Sequence, residues 1–256
     1  TPGCNMRCLF CQNWEISQSL PWQVATTPTT PEQVVAAALR SGAAAIAFTY
    51  SEPTIFYEFM LDVAQLAKAK GLKTLVVSNG YIQPEPLAAL LPFIDAYKVD
   101  FKAFDPKFYA ELTGGSREPV LQTMKAIRAA GVWLEIVNLL VTDRNDGEDE
   151  VRALARWVKE NLGDDVPLHF SRFQPMHKLL NLPPTPVERV QRAREIARAE
   201  GLKYVYVGNV PPSPGDSTCS PRSGQVVIER QGYHVVRNLL ENGVAPDGET
   251  IPGVWR

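Results

Sequence analysis

The sequence predicts an α/β fold built on a parallel sheet, and three observations carry that expectation. Helical segments, most of them closed by glycine, alternate with short apolar runs; those runs are apolar on both faces, as in strands covered by helices; and polar residues gather where the runs end. With 256 residues, 45% of them hydrophobic, the chain can bury a large core as a single α/β domain with a small appendage.

The helix–strand pairs follow a polar, proline-bearing connection, SQSLPWQVATTPTT. Thr30-Pro31 with Gln33 forms an N-cap, a proline in the first turn and a capping-box partner, and Gly42 closes that helix before AAAIAFTY. A helix near 54–70 is closed by Gly71 before KTLVVSN; a shorter one near 85–91 precedes DAYKVDFK; and a helix near 119–130 is closed by Gly131 before VWLEIVNLLV. A helix near 148–162 leads to VPLHFSRF, and a second cap, Thr185-Pro186-Val187-Glu188, starts a helix ended by Gly201 before KYVYVGN. From Pro211 the chain turns to proline, glycine and short β-like runs such as GQVVIER. The expected division is therefore a partial β/α barrel over 1–210 and a small appendage over 211–256.

The polar residues at the ends of the runs are Thr49, Ser51 and Glu52, then Ser78 and Asn79, Asp100 and Lys102, Asn138, Arg172 and Asn209. In a β/α barrel the C-terminal ends of the strands share one rim, and that rim carries the active site. Loop polarity accounts for some of these residues. It accounts poorly for Asp100 and Lys102 around Phe101, because buried charges are costly unless paired or used. Arg172 offers a planar fork for a carboxylate or phosphate. His169 suits a satisfied core histidine as well as a rim ligand. Trp14 and Tyr50 are expected to pack, and Cys219 to be inert.

Charge narrows the partners. Lysine plus arginine number 26 against 28 acidic residues, and no basic run with interleaved aromatics suggests a nucleic-acid surface, so a small-molecule or protein substrate is expected instead. No stretch is long and apolar enough for a membrane span, and the start shows neither a basic leader nor an apolar signal core, so the expected compartment is cytoplasmic.

Cys4, Cys8 and Cys11 stand together in GCNMRCLFCQNWEIS, and the remaining cysteine, Cys219, lies more than two hundred residues on. Three clustered thiols pair badly as disulfides. As metal ligands they leave one position of a tetrahedral site or a four-iron cluster open, and an open position is where chemistry occurs. The bland alternative is a zinc knuckle completed by Cys219 or a histidine. Clustered free thiols also call for a reducing compartment.

The spacing Cys4-x3-Cys8-x2-Cys11, with Phe10 before the last cysteine, resembles the radical S-adenosylmethionine (SAM) superfamily. The resemblance extends through FTYSEPT, VSNGY, VDFKAF, HFSRFQP, YVGNVP and IPGVW, segments similar to the AmmeMemoRadiSam-type branch and to pyruvate formate-lyase activating enzymes. It implies a partial (β/α)6-type radical SAM barrel, a [4Fe-4S] cluster on Cys4, Cys8 and Cys11, and S-adenosyl-L-methionine on the open iron. Phe10, Ser51, Glu52, Ser78, Asn79, Asp100, Lys102, Asn138 and Arg172 become the cofactor-binding candidates. Glu52 keeps the glutamate of the family's glycine-glycine-glutamate strand end, whose glycines are replaced here.

Val77 stands where the activating enzymes carry an aspartate, which removes a ligand from the cation site of those enzymes. The branch often ends in a zinc-ribbon-like tail; Ser220, Ser223, Val244 and Asp247 occupy its cysteine positions here, so no zinc is expected. The family also places a strand directly before the cysteine loop, where this sequence has Thr1-Pro2-Gly3, so an upstream segment is expected.

The implied function is reductive cleavage of SAM to a 5′-deoxyadenosyl radical that abstracts hydrogen from a substrate, fed by an external one-electron reductant of flavodoxin or ferredoxin type. One alternative is an activase that installs a glycyl radical on a partner protein. Another is a metal-stabilised binding or electron-transfer module without SAM cleavage, although a carrier would favour four protein ligands to its cluster.

Overall fold

The computed structural model describes residues 1–232 and 234–255; Tyr233 and Arg256, both in the expected appendage, lie outside the described residues. Six strands form one parallel sheet in sequential order: β1 (Ala45–Phe48), β2 (Lys73–Ser78), β3 (Ala96–Asp100), β4 (Trp133–Leu140), β5 (Leu168–Arg172) and β6 (Val205–Gly208). This is the α/β, partial-barrel arrangement expected from the alternating pattern. Register is set by pairs such as Ala47 with Leu75, Val76 with Tyr97, Val137 with His169, and His169 with Tyr206.

The helices are α1 (Trp14–Ser17), α2 (Pro31–Arg40), α3 (Tyr57–Ala69), α4 (Pro84–Leu90), α5 (Pro106–Phe108), α6 (Arg117–Ala129), α7 (Glu148–Leu162) and α8 (Val187–Ala199). The capping box of α2 is formed: the Gln33 amide donates to Thr30 Oγ1 at 3.3 Å, and the Thr30 amide donates to Gln33 Oε1 at 2.9 Å. Gly42, Gly71, Gly131 and Gly201 all have positive φ, which lets each helix stop and the chain turn into the next strand.

Two local expectations need correction. The helix expected near 54–70 is a 3-10 turn, Pro53–Phe56, followed by α3, because Glu52 caps the turn through the Thr54 amide. Thr185 does not cap α8. Its hydroxyl donates inward to the Leu140 carbonyl at 2.6 Å and meets the Thr142 hydroxyl at 3.0 Å, so the helix begins beyond it at Val187. Helix α5, which no sequence period announces, runs on into a π-turn, Tyr109–Thr113.

The chain divides into two compact units. The first comprises Thr1–Phe101, Tyr109–Leu134 and Met176–Leu180; the second comprises Lys102–Phe108, Glu135–Pro175 and Asn181–Arg256. In the first, Met60, Val63, Val76, Tyr97, Val99, Met124 and Ile127 are buried; in the second, Ile136, Leu154, Val158, Phe170, Val190 and Ile196 are. No helix of the described residues is long and apolar enough to cross a membrane.

The second unit also holds an antiparallel three-stranded sheet, β7 (Thr218–Cys219), β8 (Val226–Gln231) and β9 (His234–Asn238), with a small core of Tyr204, Val227, Ala245 and Ile251. Where the resemblance placed two cysteine pairs, hydrogen bonds converge on one carboxylate. Asp247 accepts from the Ser220 hydroxyl at 2.6 Å, from the Ser223 hydroxyl, and from the Glu249 amide at 3.0 Å, while Arg222 donates to the Asp247 carbonyl. These bonds, the Ser220 and Ser223 hydroxyls foremost, lower the Asp247 carboxyl to about 2.

A depressed carboxyl contributes stability above its ordinary value and loses it as pH falls through the folded value. The bonds joining residues 220–225 to 244–250 should therefore persist to pH about 4 and fail only toward about 2. Asp247→Asn should speed amide hydrogen exchange in both segments at neutral pH and leave exchange in α2 and α3 unchanged; equal protection in wild type and variant would contradict this.

Candidate active site

In the first unit the side chains of the cysteine loop alternate between exposed and buried from Asn5 to Cys8. Met6, Cys8 and Phe10 are buried, while Asn5 and Arg7 are exposed. Its backbone is tied on both sides of Cys8: the Arg7 and Leu9 amides donate to the Thr113 and Leu112 carbonyls at 2.8 Å, and the Lys178 amide donates to the Leu9 carbonyl at 2.9 Å. Cys4 Sγ faces two donors, the Met6 amide at 3.4 Å and Asn79 Nδ2 at 3.6 Å. Cys11 Sγ lies 3.2 Å from the Ser17 hydroxyl. The two N–H donors aimed at the Cys4 sulfur suit a sulfur that acts as a metal ligand. Among the described residues no three His, Cys, Asp or Glu side chains gather around one point, Cys4, Cys8 and Cys11 included.

Glu52 is 2% exposed at the end of β1. One carboxylate oxygen accepts from the Thr54 amide (3.1 Å), the Thr54 hydroxyl (2.9 Å) and the Ser78 hydroxyl (2.6 Å); the other accepts from the Asn79 amide (2.8 Å). Asn79 in turn reaches Asn5 Oδ1 at 2.7 Å, so one chain of contacts runs from β1 through β2 to the cysteine loop. Burial raises the Glu52 carboxyl above the usual carboxylate range, against the opposing pull of the Asn79, Ser78 and Thr54 donors. Burial and the Glu52 charge push the Tyr97 hydroxyl far up as well. Ser51 Oγ is buried without a hydrogen-bond partner among the described residues, a polar atom of the kind a bound ligand satisfies.

Asp100 belongs to the first unit and pairs with Lys98 at 3.3 Å. The other candidates lie in the second. Asn138 and Asn145 both donate to the Lys102 carbonyl, at 3.3 and 2.8 Å, and Arg172 Nε donates to the Thr185 carbonyl at 2.6 Å. Asn145, 1% exposed and also bonded to the Val141 amide and the Leu139 carbonyl, was not singled out from sequence; an asparagine in a polar post-strand turn is an ordinary loop residue by composition. A third set is new: His169 Nε2 lies 2.9 Å from Glu135 Oε2, its ring stacks on Tyr206 at 4.8 Å, and the Tyr206 hydroxyl meets Thr218 at 3.0 Å. Of the two residues expected to pack, Trp14 stacks on His177, whereas Tyr50 is 60% exposed.

The radical SAM superfamily profile matches residues 1–158. The chain belongs to that superfamily. It is a radical SAM enzyme by membership, and the family implies a [4Fe-4S] cluster and SAM. An uncharacterised protein of Methanocaldococcus jannaschii is 45% identical over 228 residues, which span 89% of this chain and 68% of the relative. A pyruvate formate-lyase-activating enzyme of Clostridium pasteurianum is 26% identical over 164 residues, 61% of this chain and 66% of that one. Among solved structures, Streptococcus suis SuiB bound to S-adenosylmethionine aligns with TM-score 0.63 at 13% identity, covering 90% of this chain and 51% of SuiB. A domain of the Bacteroides vulgatus pyruvate-formate lyase-activating enzyme aligns at 0.56 and 18%, covering 65% of this radical SAM chain and all of the domain. At those identities the structural likeness shows the fold.

Replacing Glu52 by Gln places an amide where the Asn79 and Thr54 donors point, and an unsatisfied buried group costs about 1–3 kcal/mol. Unfolding by urea should show a loss of that size. The loss has a pH signature. A carboxyl raised by folding contributes most below its unfolded value, and that contribution declines as pH rises through the folded value. The wild-type advantage over Glu52→Gln should therefore shrink from pH 5 to pH 8; an advantage that grows with pH would show that the donors, not burial, dominate.

Proposed function

We propose that the chain holds a [4Fe-4S] cluster on Cys4, Cys8 and Cys11, binds S-adenosyl-L-methionine beside it, and acts on a small-molecule or protein substrate in a reducing, cytoplasmic compartment. The observation that carries this reading is the chain of contacts from Glu52 through Asn79 to Cys4, which ties the cysteine loop to two strand ends. When bound, the group supplies one-electron cleavage of SAM to methionine and a 5′-deoxyadenosyl radical that takes hydrogen from the substrate.

The protein's own residues hold and orient. Asn79 and the Met6 amide turn donors to Cys4, Phe10 lines the loop from its buried side, and Ser51 offers an unsatisfied hydroxyl. Glu52 fixes both turns and receives positive charge at its carboxylate. Asp100, Lys102, Asn138 and Arg172 complete the cofactor-binding set in this proposal, Ser78 acting through Glu52. The division into a barrel over 1–210 and an appendage over 211–256 remains part of the same proposal. A second reading, a glycyl-radical activase, draws on the relatives named pyruvate formate-lyase-activating enzyme and isethionate sulfite-lyase activating enzyme.

Anaerobic reconstitution should give iron and sulfide near four each and a paramagnetic reduced cluster; stoichiometric zinc without iron would end this reading. Dithionite-reduced protein given SAM should release methionine and 5′-deoxyadenosine in equal amounts, and a Cys4/Cys8/Cys11 triple alanine variant neither. Glu52→Gln should keep its iron but bind SAM about tenfold to a hundredfold more weakly, the loss of one charge-assisted contact. Deuterium from a labelled metabolite appearing in 5′-deoxyadenosine would favour the small substrate, and a glycyl radical on a separate protein the activase.

A further inference from the structure

In the second unit one face of β4, β5 and β6 carries a row of polar groups outside the cofactor-binding set. Leu168, Phe170, Val205 and Val207 alternate with that row and are buried, whereas Glu135, His169, Ser171 and Tyr206 share the other face and are only half-buried. His169 is held at one nitrogen and one ring face. Its Nε2 lies 2.9 Å from Glu135 Oε2, and Tyr206 stacks on the ring at 4.8 Å with 22° between the planes. Tyr206 is itself anchored, since its hydroxyl meets Thr218 at 3.0 Å and Arg230 donates to the same Thr218 oxygen at 2.9 Å. A carboxylate only accepts, so Nε2 carries the proton and Nδ1 the lone pair. Among the described residues Nδ1 has no hydrogen-bond partner, and the side chain is 31% exposed. His169 is therefore not the satisfied core histidine that the sequence allowed.

Two residues further along β5, Ser171 Oγ accepts from Asn209 Nδ2 at 2.8 Å, which leaves the hydroxyl proton to be donated. Across from Ser171 stands Gly208, and beyond its chain neighbours a Cβ there would meet within 4 Å only Ser171 Oγ, at 3.8 Å. Packing thus leaves room beside the row. A proton acceptor and a proton donor stand two strand residues apart, about 7 Å, and the donor lies near the C-terminal strand ends where β/α folds bind ligands.

We propose that His169 is a general base for a small substrate bearing a hydroxyl or an amine, positioned by Glu135, with Ser171 donating to a second polar group of the same molecule. The inference rests on the radical SAM reading and adds the class of substrate. Nδ1 takes the proton of the substrate O–H or N–H, the bonding pair stays on the oxygen or nitrogen, and no electron leaves the substrate. The imidazolium so formed is held by Glu135. The same carboxylate disfavours an anionic substrate. The other charged and titratable groups around the ring are Tyr206 on β6, Arg230 and Cys219 beyond it, and Arg172 on β5 itself. Burial raises the Tyr206 hydroxyl, which keeps that neighbour neutral.

The probe is the low-mass fraction of an extract from cells grown in heavy water, given with SAM to the dithionite-reduced holoenzyme. The readout is the deuterium-labelled share of the 5′-deoxyadenosine formed, a ratio that discounts changes in SAM cleavage itself. Wild type should label its product, and more so as pH rises, because the base works unprotonated. His169→Ala should lower the labelled share about a hundredfold, lose the pH dependence and recover labelling when free imidazole is added. Glu135→Gln should fall between the two. Gly208→Val, which fills the room beside Ser171, should also lose labelling although no titratable group changes. Circular dichroism and iron content check that each variant folds. Labelling by His169→Ala equal to wild type, or with the same pH dependence, would overturn the proposal, as would a wild type that takes no deuterium from the low-mass fraction. Failure of dithionite-reduced wild type to cleave SAM would instead overturn the reading beneath it.

Discussion

A single buried carboxylate organises the first unit. Moving an ion out of water costs several kcal/mol, and each hydrogen bond to a charged group returns about 1.5–3 kcal/mol. Glu52 receives four such contacts from Thr54, Ser78 and Asn79. The two sides are of similar size, and the raised carboxyl shows that burial keeps the upper hand. The donors are backbone and hydroxyl groups on two separate strand ends, so the carboxylate holds those ends in fixed relation. Asn79 spends its amide N–H on Glu52 and its side-chain nitrogen on Asn5 and Cys4, which carries the constraint to the cysteine loop.

That arrangement explains why the sheet was legible in the sequence and the site only in part. The six strands follow from apolar runs between glycine-closed helices, and each glycine that closes a helix has the positive φ that only a residue without Cβ adopts easily. The cysteines, Glu52, Ser78 and Asn79 were visible as strand-end or motif residues. What they bond was not visible, because a carboxylate that caps its own turn and a carboxylate that awaits a ligand have the same sequence. Thr185 shows the same ambiguity: its spacing satisfied the rule for a helix cap, yet its hydroxyl is taken by the Leu140 carbonyl. Asn145 and the Glu135–His169–Tyr206 set depend on register between strands, which one sequence without its pairing does not disclose.

The tail makes the converse point. Four positions where the resemblance would put cysteines hold Ser220, Ser223, Val244 and Asp247, and three of them still meet, as hydrogen-bond donors and acceptor. A carboxylate with two hydroxyls is a weaker tie than a tetrahedral metal, but it needs no ion and survives any pH at which the carboxyl stays ionised. The small core of Tyr204, Val227, Ala245 and Ile251 shares the work of holding the segment.

The backbone ties of the cysteine loop connect these observations to reactivity. In the cluster-binding role proposed above, a cysteine loop gains from arriving with its geometry already set, because ordering it later would weaken binding. The Arg7, Leu9 and Lys178 amide bonds order the backbone from the outside, and the Glu52–Asn79–Cys4 line orders it from the inside. Asn5 and Arg7 are thereby left exposed while Met6, Cys8 and Phe10 are buried. The same ties that leave the Cys8 sulfur buried leave Arg7 exposed, so the burial pattern and the placement of the loop are two results of one set of backbone bonds.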